Sequence, residues 1–561
     1  MRQFRILFRL FLFRVVDVEL LSAQADPEKL LGQIVTVLLS VSLLFSVPVL
    51  FVGGALPDGI AHIFEHFFIA STMLVVGLFA LLSWEEVFPN QRDVLVLSPL
   101  PVSSRTLFLA KMAALGTGLG VSIAALNGLS GLLWPWIFAP ADSGTVGLLR
   151  AVAGYWLTLL MAAVFVFGAT LTLQGMAASM LPRPMFLRLS ALMQVALFGA
   201  LVSVYVLEPS LESKAALSSA ANHGLLGWLP SYWFWGMFQE LNGSAHGIAE
   251  LSWLARRAWM GVVIALGGAI AMVMLNYFHT MARVIEEPEI QSEEQRMAWR
   301  LGSSPQRAVI SFALQTISRS RRHRMILSFY MGMGFGVMLI LLRASMGKQS
   351  EMAIALLAAS ALMLCTAAVA MRTIFSMPMK PEANWIFRAA ALEPADRYLK
   401  GVRSAFLLLG IAPVWCGFSV LLWMMLPWRA AAAHLVLLAT LGVILTNLCS
   451  GGFRKIPFTC SYLPGRGNLQ FAVWGALVLL PLSVLGAKYE WMWLQSAPWQ
   501  LGGLTVALAL VLPALGLHWW TTLRFRSANE LLFEDVEESP VVSLGLTDAT
   551  AQAGLAPMHF R

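Results

Sequence analysis

Residues 62–83 read HIFEHFFIASTMLVVGLFALLS. From Phe67 to Ser83 the stretch holds no charged residue, and a helix needs roughly 20 apolar residues to cross a bilayer core. It is therefore a candidate span. Working outward, similar segments lie near 31–52, 107–137, 147–180, 186–207 and 258–280. A polar stretch, 282–308, follows. Six more lie near 325–343, 352–374, 402–426, 431–450, 469–487 and 500–522. The reading is an all-α polytopic membrane protein of about twelve transmembrane helices, arranged as two six-helix repeats. The segments near 107–137 and 147–180 exceed what a span needs, so tilt or extension beyond the bilayer is expected.

Composition agrees. Of 561 residues, 58% are hydrophobic and 12% charged, about half the charge of a typical soluble chain. So few charges cannot cover a soluble protein of this size. The net charge of +8 would suggest nucleic acid in a soluble protein. Here the charges sit between apolar segments, where they set orientation, and no nucleic-acid partner is expected. With the N-terminus in the cytoplasm, all but eight of the 38 Lys and Arg residues fall in cytoplasmic segments. The eight are Arg150, Lys214, Arg256, Arg257, Arg343, Lys348, Arg429 and Lys488. That bias follows the positive-inside rule and places both termini in the cytoplasm of a bacterial inner membrane. The four cysteines (Cys365, Cys416, Cys449 and Cys460) show no CxxC spacing and read as buried thiols.

The N-terminus is not read as a cleavable signal. Phe4, Leu7, Phe8, Phe11 and Val15 lie on one side of a helix and Arg2, Arg5 and Arg9 on another, which suits the headgroup plane. The basic stretch 318–324, SRSRRHR, opens the second half in the same way.

The two halves look related. Residues 85–111 read EEVFPNQRDVLVLSPLPVSSRTLFLAK, and residues 379–403 read MKPEANWIFRAAALEPADRYLKGVR. Pro89 and Pro381, Arg105 and Arg397, and Lys111 and Arg403 recur at one constant interval, and Pro101 and Pro394 at nearly the same. Such repeats are common in membrane transporters. In the first loop, Pro101 suits a first helical turn, and Ser103 or Ser104 can cap it. Arg105 and Lys111 can anchor the following span at the interface.

This pattern resembles the permease subunits of ABC exporters of the ABC-2 class. An amphipathic helix leads in, two spans follow, then a cytoplasmic coupling-helix loop of the form LPVS…R…K, then four more spans. The topology matches over most of the chain, the residues chiefly over 85–111. The second loop departs from the motif, with Glu393-Pro394-Ala395-Asp396-Arg397 in place of Pro-Val-Ser. The resemblance implies a fused pair of permease units, 1–281 and 309–526, joined by a cytoplasmic linker at 282–308 and followed by an acidic tail at 527–561. It implies coupling helices that dock on separate cytoplasmic ABC ATPase subunits, two of them. The coupling residues it points to are Pro89, Arg92, Asp93, Pro101, Ser103, Arg105 and Lys111, with Pro381, Pro394, Asp396, Arg397 and Lys400 in the second half. No cofactor is expected in this chain, and ATP and Mg would sit on the partner. No phosphate-binding loop is present: Gly347-Lys348 is followed by Gln349.

Other signals compete. His62, Glu65 and His66 spell HxxEH, the inverted zinc-protease signature, with both histidines on one helical face. A third ligand is not marked, so no metal site is assigned and His62 and His66 stand as a weak candidate pair. Asn127, Gln174, Gln194, Asn276 and Asn447 lie within spans, where polar groups bond neighbouring helices or line a path. Few charges lie mid-span, which disfavours an ion-driven carrier and leaves room for an apolar or amphiphilic substrate. The basic, proline-containing segments 452–468 and 180–188 fit a second ATPase contact or a lipid-facing loop. Trp228, Trp233 and Trp235, in the long exterior segment 208–257, suggest a helix at the outer interface. The readings, in order, are an ATP-driven exporter permease, an ion-gradient-driven secondary transporter, and a membrane-embedded zinc enzyme.

Overall fold

A computed structural model of the chain describes residues 2–16, 27–52, 58–84, 101–139, 144–181, 183–244, 249–286, 303–379, 384–389, 395–451, 453–459, 469–495, 499–526 and 531. Pro89, Arg92, Asp93, Pro381 and Pro394 lie outside them, as do 287–302 of the expected linker and nearly all of the tail. The Asn276 side chain is also outside the described set.

The described residues form helices and connecting turns, with no strand among them. The first half runs α1 Arg2–Val16, α2 Pro27–Val52, α3 Asp58–Leu82, α4 Ser104–Asn127, α5 Gly144–Met180, α6 Arg183–Leu207, α7 Pro230–Asn242 and α8 Ala249–Glu286. The second runs α9 Ser304–Arg319, α10 Arg321–Ala344, α11 Gln349–Phe375, α12 Ala395–Met425, α13 Trp428–Ser450, α14 Leu469–Gln495 and α15 Trp499–Arg526. Among the described residues, eight helices are long and apolar enough to cross a membrane. The chain is an all-α, multi-pass membrane protein. Only helices that satisfy their own backbone hydrogen bonds can sit in hydrocarbon this way.

Four helix–helix contacts recur in the two halves. The amphipathic leading helix packs on the helix that follows the proline-containing loop between the second and third candidate spans of its half, here called the elbow: α1 on α4, and α9 on α12. α3 packs on α5 and α6, as α11 does on α13 and α14. α5 packs on α8, as α13 does on α15. The first span of each half breaks the pattern, since α2 packs mainly on α4 whereas α10 packs on α11 and on α6 of the other half. The α6–α10 contact is the seam between the halves. Gly332 and Gly336 of α10 form it: a Cβ on Gly332 would meet the Phe198 ring at 2.0 Å, and one on Gly336 would meet Val202 at 3.0 Å. Small residues four apart let two helices approach closely in a membrane.

Several expectations need correction. The 107–137 segment is not one helix. α4 ends at Asn127, and two short helices, Ser130–Leu133 and Pro135–Phe138, follow it. Pro135 opens the second where its missing N–H costs nothing, and the buried Trp134 donates to the Phe45 carbonyl at 3.2 Å. The 147–180 segment is one 37-residue helix, roughly 55 Å long at about 1.5 Å per residue. Within the stretch read as the linker, α8 continues to Glu286 and α9 starts at Ser304. Cys365 and Cys449 are half-buried and Cys416 is exposed, so the thiols are not uniformly internal.

The tryptophans divide. α7 packs against α3, α5 and α8. Tyr232, Phe234, Trp235 and Phe238 are fully enclosed, while Trp228 just before the helix is 87% exposed. Gly236 permits this. A Cβ there would stand 2.6 Å from Leu254 Cβ and 2.9 Å from the Leu251 carbonyl, so α7 and α8 touch backbone to side chain. Arg150 of α5 donates to the carbonyls of Leu241 at 2.6 Å and Glu240 at 3.3 Å, a cation where a helix C-terminus favours one. In the second half α15 follows α14 with no equivalent of α7 among the described residues.

Candidate functional site

The HxxEH face of α3 points at α7. His62, Glu65 and His66 share one side of the helix by their three- and four-residue spacing. Glu65 is buried, and three groups converge on its Oε2: His62 Nδ1 at 3.0 Å, Trp235 Nε1 at 2.9 Å, and the Gln239 side-chain amide. Trp235 and Gln239 lie one turn apart on α7. His62 also contacts Gln239 at 3.1 Å. A carboxylate at this depth is costly unless hydrogen-bonded, and here it is.

His66 belongs to a second set. Its ring stacks on Tyr232, with centroids 4.0 Å apart. Its Nδ1 is 3.0 Å from Glu212 Oε1 and its Nε2 is 3.5 Å from Glu208 Oε1. The Nε2 makes no hydrogen bond. Glu208 accepts from the Ser231 hydroxyl. The Tyr232 hydroxyl accepts from the Leu211 backbone N–H at 2.9 Å and lies 2.7 Å from the Pro209 carbonyl and 3.1 Å from Glu212. Burial pushes the Glu212 carboxyl up, but hydrogen bonds from His66, its own backbone and Tyr232, with the charge of His66, hold it below the usual range. Burial and the nearby Glu212 charge raise the Tyr232 hydroxyl. The set opens on a cavity of about 510 Å³ between α3, the end of α6 and α10.

The two histidines therefore do not act together. His62 faces Glu65, while His66 faces Glu212 and Glu208. Among the described residues no three His, Cys, Asp or Glu side chains are grouped to hold a metal ion.

A second polar cluster joins α11, α13 and α14. The Ser360 hydroxyl is 2.7 Å from His434 Nε2, and His434 Nδ1 is 2.8 Å from Glu490 Oε1. Ser360 and His434 are buried. Serine, histidine and acid stand in the order of a hydrolytic triad, but Ser360 also reaches the Leu357 carbonyl at 2.7 Å, a competing acceptor within its own helix.

At the opposite end of the bundle, Ser103 caps α4 and accepts from the Thr106 N–H at 3.2 Å. Pro101 precedes the cap instead of occupying the first turn. Arg105 is exposed, while Lys111 is buried with its ammonium 5.5 Å from the centroid of the Phe11 ring. Lys111 thus helps hold α1 against α4, where Leu7 and Phe11 meet Leu107, Ala110 and Ala114. In the second half Asp396 and Lys400 pair at 2.8 Å along α12, Arg397 is exposed, and Arg403 donates to Thr522 of α15 at 3.1 Å. The segment 453–459 is largely buried, with Arg454 exposed. Phe453, Lys455, Ile456, Phe458 and Thr459 are buried, and Phe458 rings against Phe312, Phe375 and His323. Phe458 takes φ +66°, and its backbone bonds Phe375 and Met379. Asn384 donates to the Thr459 carbonyl at 2.6 Å.

The mid-span polar residues divide. Asn127 is internal glue, bonded to Thr72 at 3.0 Å and Tyr155 at 3.0 Å. Gln174 donates to the Trp84 carbonyl, and Gln194 Nε2 is buried without a hydrogen bond. Asn447 accepts from Thr521 at 2.8 Å and lines a cavity of about 540 Å³ with Arg403 and His518. Sequence reasoning missed Glu208, Glu212, Ser360, His434 and Glu490. Each is an ionisable or hydroxyl group inside or just beside an apolar segment, which was the available signal. Comparison of the chain with protein-family models, curated proteins and solved structures finds no match.

Proposed function

We propose that the chain is the membrane permease of an ATP-driven exporter resembling the ABC-2 class, two fused six-span units moved by separate ATPase subunits. In this reading α2, α6, α14 and α15 also span, which brings the count to twelve, and both termini face the cytoplasm of a bacterial inner membrane. The observation that carries it is the repeated packing of an amphipathic leading helix on the helix after each elbow, α1 on α4 and α9 on α12. A push on an elbow would reach its leading helix and span together. The exposed Arg105 and Arg397 are the positions through which a partner would dock. ATP binding on the partner would bias a two-state tilt of the bundles. The chain holds no phosphate-binding loop of its own.

The test is co-purification with the ATPase encoded beside this chain, and ATPase stimulation in proteoliposomes. Arg105→Glu should abolish both while the permease stays folded. Unchanged association and stimulation would reject the docking role. Placement of residues 101–105 on the outer face by cysteine labelling would reject the topology.

An ion-driven carrier is the second reading. The buried Glu65 and the Ser360–His434–Glu490 cluster favour it, since carriers use intramembrane carboxylates. It requires uptake or efflux that collapses with the proton gradient and needs no ATPase.

A further inference from the structure

The cavity at the seam differs from ordinary packing defects in what lines it. Glu208 and Glu212 line it beside His66, and so does Arg343 of α10. Arg343 donates to the Val206 carbonyl, which ties its guanidinium to the end of α6. Ile63, Phe67 and Ile340 supply apolar wall. Two further facts point to a ligand. His66 is 94% enclosed, lines this cavity, and leaves Nε2 without a hydrogen bond. Buried polar atoms without a partner are rare in folded proteins. The volume, about 510 Å³, falls in the range of roughly 300–1,000 Å³ usual for small-molecule sites.

We infer that this cavity binds the headgroup of a zwitterionic aminophospholipid from the surrounding bilayer. The ammonium sits against Glu208 and Glu212, the phosphate meets Arg343, and the acyl chains leave along Ile63, Phe67 and Ile340. Charges of both signs lining one cavity match one ammonium and one phosphate on a single molecule. A purely anionic lipid could meet Arg343 with its phosphate but would bring no cation to the two carboxylates. A bare divalent ion is disfavoured because these side chains are not grouped as metal ligands. The assignment rests on the cavity alone and needs no ATPase, so it stands or falls separately from the exporter reading.

The experiment is native mass spectrometry of the purified full chain in mixed micelles holding equal phosphatidylethanolamine and phosphatidylglycerol. Wild type should retain phosphatidylethanolamine at least about tenfold over phosphatidylglycerol. The double variant Glu208→Gln, Glu212→Gln should lose that preference, and Arg343→Gln should lower retention of both lipids. Because the carboxylates also brace the fold, Ala344→Trp serves as a second variant: it fills the cavity mouth from an exposed position and should displace the lipid while gel filtration stays unchanged. Equal retention of the two lipids by wild type overturns the inference. So does retention by Ala344→Trp, or displacement of the lipid by stoichiometric zinc.

Discussion

Each half of the molecule buries a histidine against carboxylates toward the end away from the elbows, and the two arrangements differ in completeness. His434 uses both ring nitrogens, one on Ser360 and one on Glu490, and three packed helices close around it. His66 uses one nitrogen well, leaves the other unbonded, and faces a cavity. A satisfied polar network locks helices into one register, and an unsatisfied one marks a place where something else can bind. The cause of the difference is α7. It wedges between α3, α5 and α8, brings Trp235 and Gln239 to Glu65, and holds Ser231 and Tyr232 against the chain after α6. In the second half α14 packs directly on α11 and delivers Glu490 to His434.

If the wedge makes the difference, removing it should have the largest effect. Gly236→Leu would drive a side chain into Leu254 and the Leu251 carbonyl. Overpacking costs about 1–3 kcal/mol or more, and eviction of α7 would also strip Glu65 of its donors. The expected result is loss of monodisperse protein in detergent. A variant that purifies normally with wild-type melting would break the comparison.

Next comes Glu65→Ala, which leaves the Trp235 donor buried and unpaired at about 1–3 kcal/mol and Gln239 with only its His62 contact. Thermal melting in detergent should fall by more than for Ser360→Ala, which removes one hydroxyl from a network whose His434–Glu490 pair remains. Equal losses would show that the two clusters are alike after all.

A smaller effect is pH-dependent. The Glu212 carboxyl is held below its ordinary value near 4.5. A carboxyl with a depressed folded value gives stability that is present above the unfolded value and is lost as pH falls through the folded one. Wild type should therefore lose stability relative to Glu212→Gln between about pH 4.5 and the lowered value. A pH-independent difference in melting between the two proteins would contradict this.

The smallest effect on stability belongs to Arg105→Glu. It is exposed at the elbow end, so it should change stability by less than about 0.5 kcal/mol and leave both clusters intact. A large destabilisation would mean the elbow is part of the core.

The sequence was legible where physics is local. Apolar length marked the helices, and Ser103 before α4 gave a cap. Arg105 and Arg397, 292 residues apart, fall at the starts of α4 and α12, while Pro89, Arg92, Asp93, Pro381 and Pro394 lie outside the described residues. Tryptophans at a segment end signal an interface by statistics, but Trp235 lies buried because Gly236 lets α7 approach α8, a fact about two distant segments. Likewise Lys111 and Lys455 read as cytosolic charges but are enclosed by neighbouring helices and the 453–459 segment.

What the sequence determined by itself is the class: a chain with 12% charged residues and repeated apolar stretches can hide its backbone from lipid only as packed helices. Tertiary structure alone decided which polar groups meet. Hydrophobicity fixes that a helix enters the membrane but leaves its rotation and neighbours free, and these depend on close contacts such as Gly332 with Phe198 and Gly236 with Leu254. His62 and His66 sit four residues apart on one helix, yet α7 and the chain after α6 assign them to different carboxylates.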